Sequence, residues 1–508
     1  MGRTRSLLFI GSLLLFLAVL PGNHSEAEDA FEYSRLIEAG QGARLFHPHH
    51  LLYLPAQKAV FHAAQMLGYG GRSYYVARAV SMLSGAVALV LFFLIALRLG
   101  GTSDGRLPLM ATLGLLFSYG FVRYACEVEI YLPAMVLALA AIHSALRAET
   151  SRTWFVAGIV FSSLAVLMHT INSALAVVVV PFFYLLVSRR WKRAVLHAVA
   201  TLAVVGLVYG TVQNTWGLFR PPVDTAAEGW LQPGTVGKAM VGFGQCVLSA
   251  NFIFAYDVAA EKLQALFPYR VFAEERFAAS HMPTWLKAIA PLTFFAALAS
   301  LLGAAGFLLF RALRQRAFSW SFLVLLLWLG GTLLPTLVLE PSNPELWILV
   351  LAPLWAVFLW LAAALDLPGK AIRLLMLMVC LLGVHNIVAG MGSIRDREGD
   401  YNFKKAEWVL QQAGANDTVH TAESYVFTFY LNYWGEADIR NVNSQDWKRG
   451  ETTYVYDDVF NPPVAFGVRH PESTEKVAAT AKELQPICRK IHEDRFGGIW
   501  IVEAQEAK

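Results

Sequence analysis

The sequence is poor in charged residues and has few cysteines for its length. Only 15% of its 508 residues are charged, whereas a soluble globular protein carries about 25%. Hydrophobic residues make up 56% of the chain and the mean hydropathy is +0.48. This composition excludes an ordinary soluble protein and predicts a chain that crosses a membrane several times. The four cysteines show no paired spacing, so they indicate neither a zinc site nor a disulfide framework. They are Cys126, Cys246, Cys380 and Cys488.

Several common signatures are also missing. The sequence has no internal repeat and no low-complexity tract, and its C-terminal part lacks the glycine loop of nucleotide-binding proteins. The basic residues follow the apolar segments instead of forming one patch, and the net charge is only +4. Nucleic acid is therefore not expected as a partner.

What the sequence does contain is a series of long apolar windows, each a candidate membrane span. We count eleven of them, near 7–21, 76–97, 107–122, 131–146, 154–169, 171–187, 195–212, 286–310, 319–339, 346–364 and 371–391. The first window resembles a signal peptide. Its apolar core of about 14 residues and a poor cleavage site favour an uncleaved span.

The basic residues predict the orientation of these spans. If the N-terminus lies in the cytoplasm, every short loop on that side is basic, as the positive-inside rule requires. The basic residues concerned are Arg3, Arg5, Arg98, Arg106, Arg147, Arg152, Arg189, Arg190, Lys192, Arg193, Arg311, Arg314, Arg316, Lys370 and Arg373. An odd number of spans then places the C-terminus on the extracytoplasmic side. We expect a multi-pass protein of the bacterial inner (plasma) membrane.

Two domains follow from this arrangement. Residues 1–391 are predicted to form a transmembrane catalytic module with outer loops 22–75 and 213–285, and residues 392–508 a soluble extracytoplasmic α/β domain. Within the first loop, residues 51–67 have the spacing of an amphipathic helix in the membrane interface. In the C-terminal part, helical patterns alternate with strand patterns, which is typical of an α/β arrangement. The predicted helices are 403–415, 424–435 and 472–493, and the predicted strands are 417–422, 452–458 and 497–504.

The outer loop after the first window is rich in acidic residues. Ser25 and Glu28 have the spacing of a capping box, so Glu26 and Glu28 are interpreted as residues that stabilise a helix start. Asp29 and Glu32 are three residues apart and share one face of a helix. We interpret this pair as functional.

Glu32 has a second interpretation. Glu32 and Arg35 could form an ordinary surface ion pair, which would contribute little to stability.

Ionisable residues also mark the outer ends of other spans. Glu127 and Glu129 lie in the turn between the third and fourth windows, and His169 ends the fifth. Because such residues are costly near membrane depth, function is the first hypothesis for Glu129. His169 could act in the site or be hydrogen-bonded inside the bundle. For Glu340 and Glu345, at the ninth and tenth windows, a surface position and a functional one remain open.

Three histidines, His47, His49 and His50, surround Pro48. Imidazole clusters bind zinc when their side chains converge. Two adjacent histidines rarely bind one ion, however, and we favour a role in shaping a lipid-facing cavity. No metal ligand is assigned.

Taken in order, these motifs resemble the GT-C class of integral-membrane glycosyltransferases, and within it the branch related to the protein O-mannosyltransferases. The resemblance covers roughly residues 1–185. It is carried by Asp29 and Glu32, then His47-Pro48 with Leu52 and Tyr53, then Glu129 and Tyr131, then His169. The sequence has HPHHLLY where that branch has a glycine-containing HP-x-G-Y-P-L-Y run.

The apolar windows and the C-terminal pattern predict a mainly α, polytopic membrane helical bundle of about eleven spans with a small C-terminal α/β domain, and the resemblance makes this bundle GT-C-like. The resemblance implies transfer of a sugar from a polyprenyl-phosphate carrier to an acceptor hydroxyl on the extracytoplasmic face, with inversion expected. Asp29 is the expected general base, with Glu32 second. The leaving lipid phosphate needs positive charge or hydrogen-bond donors. The candidates for that role are Arg123, Arg35 and His169, and the other expected substrate-binding residues are His47, Tyr53, Glu129 and Tyr131.

The resemblance leaves several features of the reaction open. The acceptor could be a protein, a lipid or a glycan, and a divalent cation, Mg²⁺ or Mn²⁺, could take part. Membrane lipids are expected partners.

Other functions would use a similar set of spans. A transporter or flippase for a lipid-linked sugar would be indicated by inverted repeats and broken helices at mid-membrane depth, and the sequence has neither. A glycopolymer ligase or polymerase would rely on basic residues in its outer loops. A sensor that binds a ligand through its C-terminal part would leave the acidic loop unexplained.

Overall fold

The structure is a computed structural model of the chain. It describes residues 2–24, 27, 29–100, 105–217, 235–267, 272–315, 319–365, 367–462 and 471–503. The predicted capping residues Ser25, Glu26 and Glu28 lie outside this set.

The described residues are mainly helical. The α-helices are α1 Gly2–Ala18, α2 Ala30–Ala39, α3 Tyr53–Met66, α4 Ser73–Leu99, α5 Arg106–Phe117, α6 Tyr119–Ala125, α7 Tyr131–Arg147, α8 Arg152–Met168, α9 Val180–Phe182, α10 Trp191–Trp216, α11 Thr235–Val247, α12 Asp257–Leu266, α13 Ala273–Ser280, α14 Thr284–Gln315, α15 Trp320–Leu339, α16 Ile348–Ala364, α17 Gly369–Val384, α18 Tyr401–Gln412, α19 Tyr425–Trp434 and α20 Pro471–Leu484. Three segments are π-helical, namely Leu175–Val179, Phe183–Val187 and His385–Met391.

The chain divides into two compact units, and the division falls within α2. The first unit contains residues 1–20, 36–250 and 284–392, and the second contains residues 21–35, 251–283 and 393–508. The predicted division into 1–391 and 392–508 stays a prediction.

The first unit is a bundle of apolar helices. Among the described residues, seven helical segments are long and apolar enough to cross a membrane, and three shorter apolar helices, α5, α7 and α8, accompany them. Each of the eleven apolar windows of the sequence falls on helical segments of this bundle, although the window 107–122 is divided between α5 and α6 and the window 171–187 is largely π-helical. The predicted fold class, a helical membrane bundle with a small C-terminal sheet, is confirmed. The number of spans stays a prediction.

Small residues allow the central helices of the bundle to pack closely. Helix α7 packs against α4 and α8, and α5 packs against α4 and α16. At Gly114 in α5, a Cβ atom would lie 2.5 Å from the ring of Trp355 in α16, so only glycine fits. The indole of Trp355 donates a hydrogen bond of 3.0 Å to the Ser118 hydroxyl, which joins the two helices.

Two helices of the bundle expose broad apolar faces. Leu207 in α10 and Leu292 in α14 are each 72% exposed, and Phe295 and Leu302 in α14 are 64% and 66% exposed. An apolar surface of this extent is stable against lipid and not in water. These helices therefore form the lipid-facing side of the bundle.

The predicted amphipathic helix at 51–67 is α3. Its buried side chains include Tyr53, Leu54 and Phe61, whereas Met66 and Leu67 at its end are 83% and 89% exposed. The helical prediction is confirmed, and its location in the membrane interface stays a prediction.

The second unit contains a five-stranded sheet in the order β2-β1-β3-β5-β4. Its strands are β1 Thr418–Thr421, β2 Asp438–Asn441, β3 Thr453–Tyr456, β4 Cys488–Asp494 and β5 Gly497–Val502. Strands β2, β1 and β3 are parallel, and β5 and β4 are antiparallel to their neighbours. The core beneath the sheet is aliphatic and consists of Ala422, Val442, Val455, Val459, Val477, Leu484 and Val502.

The structure corrects one sequence prediction in this sheet and adds a missed strand. The predicted helix 472–493 ends at Leu484, and its second half is strand β4, which pairs with β5. Pro486, inside the short 3₁₀ turn Gln485–Ile487, cannot continue the α-helix. Strand β2 has only four residues, and its exposed Asp438 and half-buried Arg440 hide the apolar pattern.

A buried charge cluster lies where β1 and β3 end. The Lys405 ammonium group of α18 donates to Asp458, at 2.9 Å, and to Glu423. Asp458 also accepts from the Thr421 hydroxyl at 3.0 Å and from the Ala422 amide at 2.6 Å. Burial lowers the pKa of Lys405, but Asp458 and Glu423 outweigh this effect and hold the pKa well above its usual range. Lys405 is therefore a buried cation that fastens α18 to the sheet.

Replacing Asp458 with Ala should loosen the second unit, because it leaves Lys405 buried with half of its counter-charge. Breaking a buried pair costs about 3–5 kcal/mol. Hydrogen exchange at the amides of β1 and β3, measured on the full chain in detergent, should accelerate about a hundredfold or more. Asp438→Asn, which alters the more exposed pair with Arg440, is the control and should change exchange little. Equal effects of the two substitutions would contradict a stabilising role of the cluster.

Candidate active site

The predicted carboxylates of the first outer loop lie at the start of α2, in the second unit. The Tyr33 hydroxyl donates a hydrogen bond of 2.9 Å to Oδ2 of Asp29. Glu32 makes a two-bond ion pair with Arg35, with Nε to Oε2 at 2.7 Å and Nη2 to Oε1 at 2.6 Å. Glu32 raises the pKa of Arg35 through these hydrogen bonds. The two carboxylates therefore have different surroundings.

The backbone around Asp29 is fixed by packing within the same unit. Phe31 is 1% exposed, and its ring packs edge-on against Tyr430 of α19 at 4.9 Å between centroids. Just before it, the Asn23 amide donates to the Gly399 carbonyl at 2.9 Å. A carboxylate held on a rigid element keeps its direction, which proton transfer requires.

In the first unit, the structure brings together histidines that are far apart in sequence. The rings of His47 and His50 stack at 4.1 Å, and Tyr53 meets His50 edge-on at 6.2 Å. The backbone then joins this segment to the end of α8, because the Thr170 amide donates to the His49 carbonyl at 2.9 Å. Tyr131, at the start of α7, lies 5.5 Å from the His169 ring. We call His47, His49, His50, Tyr53, Tyr131 and His169 the histidine cluster.

The local backbone sets the tautomer of His169. Its Nδ1 accepts a hydrogen bond of 3.2 Å from the Ile171 amide, so Nδ1 carries no proton and the neutral ring bears its proton on Nε2. Asn172 supports this bend by donating to the Ala165 carbonyl at 3.2 Å. The ring therefore presents an N–H donor, which suits an anionic oxygen.

His50 is the other buried imidazole of the cluster. Burial lowers the pKa of His50 well below its usual range, and His47, His169 and His49 add to the shift. His50 is thus neutral at physiological pH. Among the described residues, no group of three or more His, Cys, Asp or Glu side chains is arranged to hold a metal ion.

Arg123, expected to bind the lipid phosphate, is bonded to Glu127 in this structure. The distance between its Nη1 and Oε1 of Glu127 is 2.9 Å, and neither side chain is exposed. The Tyr74 hydroxyl of α4 donates to the other oxygen of Glu127 at 2.7 Å. The pair joins α6 and the turn after it to α4.

Arg78 is a residue that the sequence analysis missed. Its Nε donates to the Cys126 carbonyl at 2.6 Å, and its side chain is half-buried. Glu129, in the same turn, is 1% exposed, and its backbone contacts the Ser81 hydroxyl. The sequence places Arg78 inside a long apolar window, and an arginine there is itself a functional signal. The Arg78 side chain thus contacts the same turn that carries Glu129.

Neither a family model nor a curated protein matches this chain. Several solved structures do match the chain. ArnT from Cupriavidus metallidurans, in a crystal structure bound to undecaprenyl phosphate, matches over 99% of both chains with 13% identity and a TM-score of 0.58. The Archaeoglobus fulgidus oligosaccharyltransferase, in complex with Zn and sulfate, matches over 98% of this chain and 73% of its own, with 12% identity and a TM-score of 0.50.

The chain shares the fold of these two solved structures. At these identities the likeness establishes the architecture, and chemistry must be argued from the site. The expected relation to the O-mannosyltransferase branch stays a prediction.

Glu127→Gln should destabilise the bundle, because it leaves Arg123 buried without a full counter-charge. We expect a loss of about 3–5 kcal/mol, read as a lower midpoint of thermal unfolding in detergent. The double variant Arg123→Met, Glu127→Leu should unfold at a higher temperature than Glu127→Gln, because it leaves no buried charge. If the double variant were the less stable one, the cost would come from lost packing and not from the unpaired cation.

Proposed function

We propose that the protein is a membrane glycosyltransferase that moves a sugar from a polyprenyl-phosphate carrier to an acceptor hydroxyl. The observation that carries this proposal is the histidine cluster. It gathers imidazole and phenol groups at the start of α7 and the end of α8, and such groups can donate hydrogen bonds to a phosphate. The likeness over the whole chain to a protein bound to undecaprenyl phosphate supports a lipid donor of this kind.

The proposed reaction is a single displacement. The acceptor oxygen forms a bond to the anomeric carbon while the bond from that carbon to the carrier phosphate breaks. The acceptor proton passes to a carboxylate, and the carrier phosphate leaves with the bonding electrons. Attack from the face opposite the leaving group inverts the anomeric centre.

Asp29 is the base that we favour. A general base must present a lone pair to the acceptor proton. Arg35 holds both oxygens of Glu32 at 2.6–2.7 Å, and because a two-bond pair with arginine is strong and directional, it fixes the Glu32 carboxylate toward Arg35. The hydrogen bond from Tyr33 orients Asp29 through Oδ2. Glu32 and Arg35 then act as a positioning pair in the first turn of α2.

The carrier phosphate would be bound by donors of the first unit. The Nε2–H of His169 can donate to a phosphate oxygen while the ring stays neutral. Arg78 adds a positive charge that is not fully buried, and its planar guanidinium suits phosphate. His47, Tyr53 and Tyr131 would line the path of the sugar and lipid.

Arg123 and Glu129 receive different roles in this proposal. Because Arg123 is fully buried against Glu127, we assign it to holding the turn before α7. Glu129 follows directly in that turn and would contact the donor. We assign no role to a divalent cation in this reaction. The sugar and the class of acceptor are not assigned either.

Asp29→Asn should lower turnover about 10²–10⁴-fold, the usual contribution of a positioned base, while donor binding stays near that of the parent. Carrier-phosphate release from labelled polyprenyl-phosphate sugars, measured on purified protein, reports turnover. A flippase would move the carrier without releasing it. Glu32→Gln should have a smaller effect.

The control is Asp446→Asn, the same change at a side chain of the second unit that is 92% exposed. It should behave like the parent at matched expression. Unchanged turnover in Asp29→Asn would remove Asp29 from the mechanism. A loss confined to a Glu129→Gln variant would assign the base to the turn before α7.

We further propose that the second unit lies on the extracytoplasmic side, as the basic loops predict. In a background with Cys380→Ser and Cys488→Ser, which removes the exposed and half-buried thiols, Asp446→Cys should react with a membrane-impermeant maleimide in intact cells. Arg152→Cys, in a predicted cytoplasmic loop, should react only after permeabilisation. The reverse pattern would invert the topology.

A further inference from the structure

A cavity of about 420 Å³ lies within the first unit, away from the histidine cluster. Four segments enclose it, namely the last turns of α4 and α7, the start of α15 and the chain from Val179 to Val187. Most of its lining is aliphatic or aromatic, including Ile95, Leu99, Ile142, Val180, Val324 and Trp328. Its volume falls in the range of about 300–1,000 Å³ that is usual for ligand sites.

The location of the cavity follows from the helices that form it. Helix α7 begins at Tyr131, in the histidine cluster, and ends at Arg147, next to the cavity residues Ala145 and Leu146. A 17-residue helix is about 25 Å long. The cavity and the cluster therefore lie at opposite ends of the bundle, and this end carries the basic loops.

Three arginines lie at the end of α7 beside the cavity, and one of them, Arg98, lines it. Arg98, which lines it, donates from Nη1 to the Leu146 carbonyl at 2.7 Å. Arg190 and Arg193 donate to the Glu149 and Ala148 carbonyls, at 3.3 and 2.5 Å. All three guanidinium groups thus gather at the C-terminal carbonyls of α7. A guanidinium has five N–H donors, so the bond to Leu146 leaves Arg98 with donors for a ligand.

The wall between Val179 and Val187 has an unusual backbone. Two π-helical segments, Leu175–Val179 and Phe183–Val187, flank the short helix α9. Val179, Phe183 and Val187 all line the cavity. π-Helical turns are rare and occur frequently at functional sites. On the outer side of this wall, Phe182 and Leu185 are 39% and 43% exposed, which suits contact with lipid.

We propose that this cavity binds an anionic membrane phospholipid, with an acyl chain among the apolar side chains and the phosphate on Arg98. An apolar cavity suits a hydrocarbon chain, and basic pockets between membrane helices are typical binding sites for anionic head groups. Glu149 also lines the cavity, but the Ser188 hydroxyl donates to it at 2.9 Å, and three arginines outnumber it. The site is separate from the proposed sugar transfer and does not depend on it.

The occupant is a bilayer phospholipid and not the polyprenyl-phosphate donor. The donor would bind at the histidine cluster, about 25 Å away along α7. A bilayer phospholipid is present at both ends of the bundle, and the arginines at this end favour an anionic head group over a zwitterionic one.

Binding can be measured by native mass spectrometry of the delipidated full chain, titrated with phosphatidylglycerol or with phosphatidylcholine of the same chains. Phosphatidylglycerol should bind at least fivefold more tightly. Arg98→Gln should weaken it about fivefold, the equivalent of about 1 kcal/mol for one basic residue near a membrane surface. Arg152→Gln, an exposed arginine of the same end that does not line the cavity, is the matched control and should change little.

A second pair of variants tests the cavity itself. Ser321→Trp places a large side chain on a lining residue near the start of α15, and should reduce binding at least fivefold. Leu323→Trp, on the same helix at a position 38% exposed, should not. Equal binding of the two lipids, or equal effects within either variant pair, would overturn the proposal. Displacement of phosphatidylglycerol by polyprenyl phosphate, sensitive to Ser321→Trp, would assign the cavity to the carrier instead.

Discussion

The buried ion pair between Arg123 and Glu127 connects the central helices of the bundle. Both side chains are fully buried, and the Tyr74 hydroxyl also donates a hydrogen bond to Glu127. A charge in apolar surroundings is tolerated only with a partner and further hydrogen bonds, so this pair fixes α6 relative to α4. The turn that carries Glu129 and leads to Tyr131 follows directly. The direction of these two side chains therefore depends on an ion pair that lies outside the histidine cluster.

The apolar windows predicted the bundle well because membrane helices must satisfy their own backbone and expose apolar side chains to lipid. Those two demands leave a strong signal in a single sequence. The small sheet was harder to predict. Strand β2 is too short and polar to show alternation, and β4 is even richer in charged residues than the helix before it. In such strands the hydrogen bonds to the neighbouring strand determine the structure, and these come from distant residues.

The spacing of residues in the sequence predicted some members of the candidate site but not the contacts between them. The sequence indicated His47, Tyr53, Tyr131 and His169 separately, and the structure brings them together because α8 ends beside the loop before α3. The sequence alone could not show that Arg123 forms an ion pair with Glu127. Two residues at positions i and i+4 near a helix end can pair with each other, but they can equally point to separate partners. Arg78 stands out in its apolar window as a charged residue, but its contact with the turn after α6 has no local pattern in the sequence and is visible only in the structure.

Strand β4 forms one of the two open edges of the sheet. An edge strand offers unpaired backbone groups to other chains, and proteins oppose this with charge, lysine and bulges. Strand β4 has all three, with Arg489, Lys490 and Glu493 exposed and an irregular register between Lys490 and His492. At the other edge, β2 is only four residues long. The sheet is thereby protected against fibrous self-association when many copies are crowded together on one membrane.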